Sequence, residues 1–544
     1  MRTIINTAKA SLVLLMLGLV SCNKLTNLNI NPNGTTPESA NPSFLMTGVL
    51  TNTANDYLLL SYWDPFGSVM QYVQKDAFQG DGNYNWSDQS WDLYYSLLIN
   101  NKEAYNLAQK ENRPFIMGVS LVMKSFIFGL ITDLWGPAPY TAALNGSQGG
   151  NTNLLPAYDN QETIYKGILS DLAKADSLFG KINATNVGGA DVYYQGNAAN
   201  WDKFANSLRL RYYMRLSVKD PDFAKAGIEE VVSEGKYFKT DDDDATMSYL
   251  GTNGSNSWPE NLQFDNTQGS NFHRIKMCST LVDTLESYGD PRLGIWAAKV
   301  QIPIMITSTM SSAPDTIING IRYIHPSAIP AGTLVDTGQN YVGLPPSISA
   351  DPTTYNLNPT PGPTFSLNPH VSYMNTIYQQ ASGPLLKARL ISCAEVDFIL
   401  AEAALKGWDV GADAETYYYA GIKASLNTWG VGDNYTQYIA NSNVVFNGTL
   451  QQIITQKWIA NWTNATEAWC DWKRTGYPDL IAGPKAQRKV LPVRFVYSSE
   501  ELNLNATNAN NALSQLQVTN FSGAQGTNSP WSKQWILQGT NEPW

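Results

Sequence analysis

The sequence predicts a mostly α fold: tetratricopeptide-like helix pairs forming a scaffold, with a loop-rich insert that contains short strands. Three observations predict it. From about residue 39 to 232, and again from Ser392, apolar residues recur at three- and four-residue spacing, the period of a helix with one face in a core. Short breaks rich in Gly and Pro separate these segments, which suggests stacked helix pairs. Between about 239 and 383 the period gives way to Asn, Gly, Ser and Pro, and long irregular stretches are uncommon unless they carry function. The strict tetratricopeptide consensus is absent, so this expectation rests on pairing and length.

The chain opens on a leader. Met1-Arg2-Thr3 and Lys9 precede an almost apolar run from Ala10 to Val20, the layout of a secretory signal. That run is about 11 residues, too short for a hydrocarbon core that needs roughly 20. It ends in Leu19-Val20-Ser21-Cys22, which resembles the bacterial lipobox. The resemblance implies a signal peptide over 1–21 and an acylated Cys22, each acyl methylene contributing about 0.8 kcal/mol of membrane binding. An ordinary cleaved signal with a chance cysteine is the other reading.

The mature chain, 22–544, is expected to form a single domain. Trp91 to Gln109 carries Leu93, Tyr94, Leu97, Leu98, Tyr105 and Leu107, then breaks at Arg113-Pro114. Phe115 to about Thr132 is apolar but holds Lys124, Gly118, Ser120, Ser125 and Gly129, and reads as a buried helix of a soluble domain. A helix capped near Asn160 follows, then Trp201 to Leu216, and Pro221 to Ser233 stopped by Gly235. Inside the insert one helix is expected from His273 to Ser287. Ser392 and Glu395 fit a capping box, ahead of Val396, Ile399, Leu400, Ala403 and Ala404 on one face. Glu415 to Thr428, Leu450 to Trp462 and Glu467 to Arg474 complete the helices, and the polar tail after Asn503 is expected to wrap the surface.

Composition narrows the function. The chain has 544 residues, of which 15% are charged and 11% aromatic, with 16 Trp and 29 Tyr. Sugars offer apolar C–H faces and many hydroxyls, so rings beside amide side chains suit them. Losing Arg2 and Lys9 with the leader takes 36 basic residues to 34 against 46 acids, so −10 becomes −12. Such a chain is not expected to bind nucleic acid, which requires a basic surface. Beyond Cys22, the odd set Cys278, Cys393 and Cys470 has no paired spacing and reads as buried thiols.

Several segments resemble the SusD/RagB family of Bacteroidetes outer-membrane lipoproteins, in its SusD-like branch. They are Asn29-Ile30-Asn31-Pro32-Asn33, then Ile131-Thr132-Asp133-Leu134-Trp135-Gly136-Pro137-Ala138-Pro139-Tyr140, and Glu395 to Ala403 with its E-x-x-F-x-x-A-E-A pattern. The last runs from Glu467-Ala468-Trp469 through Arg474-Thr475-Gly476-Tyr477-Pro478, with Leu491 to Phe495 behind it. The resemblance implies a tetratricopeptide-like scaffold, a nutrient site on inserted loops and a TonB-dependent SusC-like barrel as partner. It also implies an outward-facing, lipid-anchored place in the outer membrane, where such proteins form a lid holding glycan, or sometimes peptide, before import. Displayed members often carry acids just after the lipidated cysteine, whereas here the first acid is Glu38.

Candidate ligand-binding rings lie in irregular segments, away from helical spacing. Trp63 sits in Tyr62-Trp63-Asp64-Pro65. Tyr84 and Trp86 sit in Gly80-Asp81-Gly82-Asn83-Tyr84-Asn85-Trp86, and Trp258 in Gly254-Ser255-Asn256-Ser257-Trp258-Pro259. A ring on such a loop either offers its face to a sugar, with Asn83 or Asn85 reading hydroxyls, or is buried and anchors the loop. Asp241 to Asp244 offers oxygen ligands of the kind Ca²⁺ takes, but without the EF-hand spacing and glycine a solvated acidic turn is the favoured reading. Glu395 and Glu402, two turns apart on one helix face, read as packing and salt bridging, because carboxylates that cleave sugars converge on a cleft. Arg474 reads as a scaffold contact.

No catalytic residue, cofactor or metal ligand is assigned. His273, His325 and His370 lack metal-ligand spacing, and no G-x-S-x-G elbow, phosphate loop or dinucleotide fingerprint is present. A nutrient binder is the expected function. A glycoside-cleaving lipoprotein and a peptide- or glycoprotein-binding lipoprotein are the alternatives.

Overall fold

The computed structural model describes residues 40–544, apart from 63, 183–184, 186, 268–269, 310–313 and 361–366. The leader, Cys22, the Asn29 to Asn33 motif and Trp63 lie outside the described residues.

The first half lays down α1 (Pro42–Tyr62), α2 (Asp92–Lys110), α3 (Pro114–Trp135), α4 (Gln161–Phe179), α5 (Ala198–Leu216) and α6 (Pro221–Glu234). Each packs on the next, the stacked-pair arrangement the breaks in the sequence predict. Their ends follow local chemistry. Pro114 and Pro221 occupy first-turn positions where no N–H is needed. Asn160 Oδ1 accepts the Thr163 N–H at 2.7 Å, and Gly235, at φ 72°, closes α6. Helix α3 is long and apolar enough to cross a bilayer, yet 89% of its apolar window is buried inside the helical array. Close approach to α5 requires a glycine here, because a Cβ on Gly129 would stand 2.1 Å from the Tyr212 hydroxyl.

The second half adds α7 (Ser279–Tyr288), α8 (Cys393–Leu405), α9 (Ala414–Thr428), α10 (Leu450–Ala460) and α11 (Ala465–Thr475). Helix α8 packs on α9 and α10 and also on α5, while α11 meets α1 and α5. The two halves thus share one hydrophobic core, from Met46 to Leu537. Cys278, Cys393 and Cys470 are free, buried thiols.

Between the halves, short strands form three small sheets. β1 (Val73–Lys75) pairs antiparallel with β3 (Ile275–Met277), and β2 (Ala245–Ser248) with β7 (Lys387–Ile391). β4 (Ile304–Ile306) lies parallel to β6 (Ile321–Ile324), whose other edge takes β5 (Asp315–Ile318) antiparallel.

Three sequence expectations are corrected. The helix expected over His273 to Ser287 is split: Asn271–Arg274 is one short turn, Ile275–Met277 leaves to pair with β1, and only Ser279–Tyr288 is a longer helix. Ser392 caps α8 by accepting the Glu395 N–H at 3.2 Å, but the Glu395 carboxylate does not return to close the box. It turns to Arg211 instead. The tail does more than wrap the surface. Trp531, Gln534, Ile536 and Leu537 are buried, and Gln534 Nε2 donates to the Asp133 carbonyl at 3.1 Å.

At the centre of the helices lies a buried chain of charges. Arg211 of α5 grips both oxygens of Glu395 at 2.7 Å. Arg215, one turn on, reaches Glu467 at 2.6 Å and Asp133 at 3.2 Å. Lys457 pairs with Asp471 at 2.7 Å, and Arg474 holds Glu402 and Asp471. Glu395, Glu402 and Arg474 therefore tie neighbouring helices together, the scaffold role read from the sequence.

Burial alone would raise the Glu467 carboxyl, but Arg215, Arg211 and Lys457 outweigh it and hold it down at about 2. An unfolded glutamate titrates near 4.3, so the folded state binds fewer protons between these values. This contribution to stability is complete above about pH 4.3 and is lost as pH falls toward 2. Glu467→Gln strands Arg215 and is expected to lower the unfolding free energy by about 3–5 kcal/mol, read by urea denaturation. Its thermal midpoint should fall less than wild type across that acid window; a variant that tracks wild type there would refute the assignment.

Candidate functional site

The β1–β3 ladder brings two loops side by side. One runs from Asp76 to Trp86 and the other from Trp258 to Arg274, and they are joined where the Asp76 N–H donates to the Arg274 carbonyl at 3.1 Å. These are the segments in which the sequence places candidate rings.

The rings themselves point inward. Tyr84, Trp86 and Trp258 are 1%, 4% and 0% exposed. Trp86 sits edge-on to Phe66 at 5.8 Å and Phe495 at 5.1 Å. Trp258 is packed among Tyr62, Tyr249 and Tyr378, with centroids 4.9 to 5.8 Å away. No face of these rings is open to a ligand, so the expectation that they stack on one is corrected: they fix their loops to the core. Asn85 is exposed. Asn83 is half-buried, and its side-chain oxygen lacks a hydrogen-bond partner.

The ring left outside is one the sequence reading passed over. Phe78 is 68% exposed, and the Arg274 guanidinium stands 4.9 Å from its centroid, in range for a cation–π contact. It lies two residues before Gly80, in the same break as Tyr84 and Trp86, so the irregular-segment rule that selected those rings also covers it. Phe264, 45% exposed, stands on the facing loop.

Charged groups gather around this ladder. Lys75 pairs with Asp64 at 2.6 Å, and Arg274 donates to Asn271 at 3.4 Å. Burial raises the Glu260 carboxyl, assisted by Asp265 and opposed by Asn271, Lys75 and Arg274. Burial also raises Asp81, with Asp64 adding to the effect and Lys75 opposing it. An exposed ring beside a guanidinium, on loops that also carry carboxylates and amides, suits non-covalent recognition of a polyhydroxyl ligand, whose C–H face meets the ring while its hydroxyls meet polar groups.

A separate cavity of about 640 Å³ lies between α2, α3 and α4. Its charges are largely engaged, since Lys124 pairs with Asp171 at 2.8 Å and Lys102 donates to the Leu144 carbonyl at 2.8 Å.

The described residues form a helical-repeat scaffold that carries a loop-built face with an exposed ring. The SusD-like family profile, described as starch-binding associating with outer membrane, matches residues 32–303 and 340–498, and the chain belongs to this family. Solved structures agree on the architecture. An outer membrane protein of Bacteroides vulgatus linked to nutrient binding is 25% identical over 92% of this chain and 100% of its own, with a TM-score of 0.69. A SusD homologue from Bacteroides fragilis is 22% identical over 91% and 100% of the two chains, at 0.71. A chitin-binding SusD homologue from Flavobacterium johnsoniae is 23% identical over 90% and 98%, at 0.67. Among curated proteins there is no match.

The two kinds of ring separate by experiment. Trp86→Ala and Trp258→Ala each empty a packed core site and are expected to cost about 3–5 kcal/mol in denaturant unfolding. Phe78→Ala removes an exposed ring and should stay within about 0.5 kcal/mol of wild type.

Proposed function

We propose that this protein is an outer-membrane lipoprotein that captures an oligo- or polysaccharide and passes it to a TonB-dependent SusC-like transporter. Membership of a starch-binding, outer-membrane-associated family over most of the chain carries this reading. The loop face is its second support. Phe78 supplies the stacking ring, Arg274 and Glu260 the charged contacts, and Asn83 and Asn85 the amides. Trp63, from its irregular sequence setting alone, stays a further proposed ligand ring. Tyr84, Trp86 and Trp258 act from below by holding the loops in place. Action is by binding alone, without covalent chemistry. Cys22 carries the lipid anchor, and the domain faces outward over its barrel.

Two experiments test the proposal. The unacylated protein is titrated calorimetrically against a glycan and peptide panel, with product analysis on each hit. A glycan should bind without being cleaved, and Phe78→Ala should weaken it about tenfold, or about 1.4 kcal/mol. Turnover of a bound glycan would replace the binder reading with a hydrolase, and exclusive peptide binding would change the ligand class. In cells, Cys22→Ser should move the protein from the membrane fraction to the soluble fraction; retention in the membrane would rule out anchoring through that residue.

A further inference from the structure

The acidic run Asp241 to Asp244 divides its labour. Asp243 is consumed by the fold: its carboxylate meets Lys203 at 2.5 Å and accepts the Lys239 N–H at 2.9 Å. The other three acids line a cavity of about 500 Å³ between the segment leading into α5, this turn and the β2–β7 ladder. That volume lies within the range of roughly 300–1,000 Å³ typical of small-molecule sites. Lys387 and Arg389, both on β7, line it as well.

What marks this cavity is how its charges are left. Among the described residues, no salt bridge joins Asp241, Asp242 or Asp244 to Lys387 or Arg389. Asp241 uses one oxygen to accept from Asn427 at 3.1 Å, while the other is buried without a partner. Asp244 accepts only the Cys393 backbone N–H, at 2.6 Å. Arg389 is 8% exposed and rests 4.5 Å from the Trp429 centroid. It donates its terminal nitrogens to the Lys387 and Leu385 carbonyls at 3.2 Å, and its Nε is buried without a partner. An ionised group out of water is costly until it meets an opposite charge or a hydrogen-bond partner. Here one buried atom of each sign, Asp241 Oδ1 and Arg389 Nε, stays without a partner on residues lining the same space.

A neutral polyol would bring hydroxyls to this cavity but no charge. A molecule carrying an ammonium and a carboxylate completes both halves at once. We infer that this cavity is a second binding site, separate from the Phe78 face, for an α-amino acid zwitterion, either a free amino acid or a short peptide. The ammonium is taken by Asp241 and Asp244, with Asp242 at the exposed edge, and the carboxylate by Lys387 and Arg389.

Calorimetry on the full mature chain tests this with alanine, trialanine, N-acetyl-trialanine, trialanine amide and maltotriose. Alanine or trialanine should bind, and which of them does so tells a free amino acid from a peptide. Blocking either terminus of the binding form should weaken it at least tenfold. Lys387→Gln and Asp242→Asn, at less buried positions than Arg389, should each weaken it several-fold without changing the thermal midpoint, and Phe78→Ala should leave it unchanged. The inference is overturned if neither zwitterion binds at millimolar concentration, if the blocked forms bind equally well, or if Lys387→Gln retains full affinity. Loss of glycan binding at the Phe78 face would leave these outcomes untouched, so the two sites fail independently.

Discussion

The structure depends on charges that cannot reach water. Asp133 of α3, Arg211 and Arg215 of α5, Glu395 and Glu402 of α8, Lys457 of α10, and Glu467, Asp471 and Arg474 of α11 are all buried. Each is satisfied only while several helices hold their places. A buried ion pair contributes little net stability compared with well-packed apolar residues, yet breaking one is expensive. The network therefore acts less as glue than as a registration device. Helix α5 cannot turn or slide without unpairing two guanidinium groups, and it carries α3, α8 and α11 with it. Six of these nine residues, all but Arg211, Arg215 and Lys457, fall within three of the four separated motifs on which the family resemblance rests, which gives those motifs a physical reason: each contributes to one network.

On this fixed frame, some aromatic rings are sunk into the core while Phe78 stays exposed. Trp86 and Trp258 are sunk among partners contributed by distant chain, Phe495 for one and Tyr378 for the other. The loops between them can then present small, exposed groups without drifting. The three-residue β1–β3 ladder is short, but it couples the two loops directly, so the ring of Phe78 and the guanidinium of Arg274 come from segments about two hundred residues apart in sequence.

Much of the scaffold was legible in the sequence because helices announce themselves locally. The apolar period, Asn160 before α4 and Gly235 after α6 are all near-neighbour signals. So were the paired roles of Glu395, Glu402 and Arg474, since such groups inside apolar helical faces need partners. What escaped was set by distant contacts. Ile275 to Met277 looks helical alone and becomes a strand because Val73 to Lys75 offers it a ladder. Trp86 among glycines and amides reads the same whether its ring faces solvent or Phe495, and the choice is made by chain some four hundred residues later. Phe78 lies in the same break and carries the same local signal, but only the β1–β3 pairing decides that its ring stays outside while Trp86 turns inward. The tail misled because its composition is polar while its few apolar residues, Trp531, Ile536 and Leu537, are the ones that matter.

That tail carries a consequence for how the molecule comes into being. Gln534 bonds to the carbonyl of Asp133, the Ile536 N–H donates to the Gln161 side chain at 3.0 Å, and Phe495 donates its N–H to the Leu134 carbonyl at 2.7 Å. The seam between α3 and α4 is thus finished by chain synthesised long after those helices. Until it arrives, the middle of the helical stack has open carbonyls and an unfilled apolar slot. The packing of α3 against α4 is therefore completed only by chain about four hundred residues beyond Asp133.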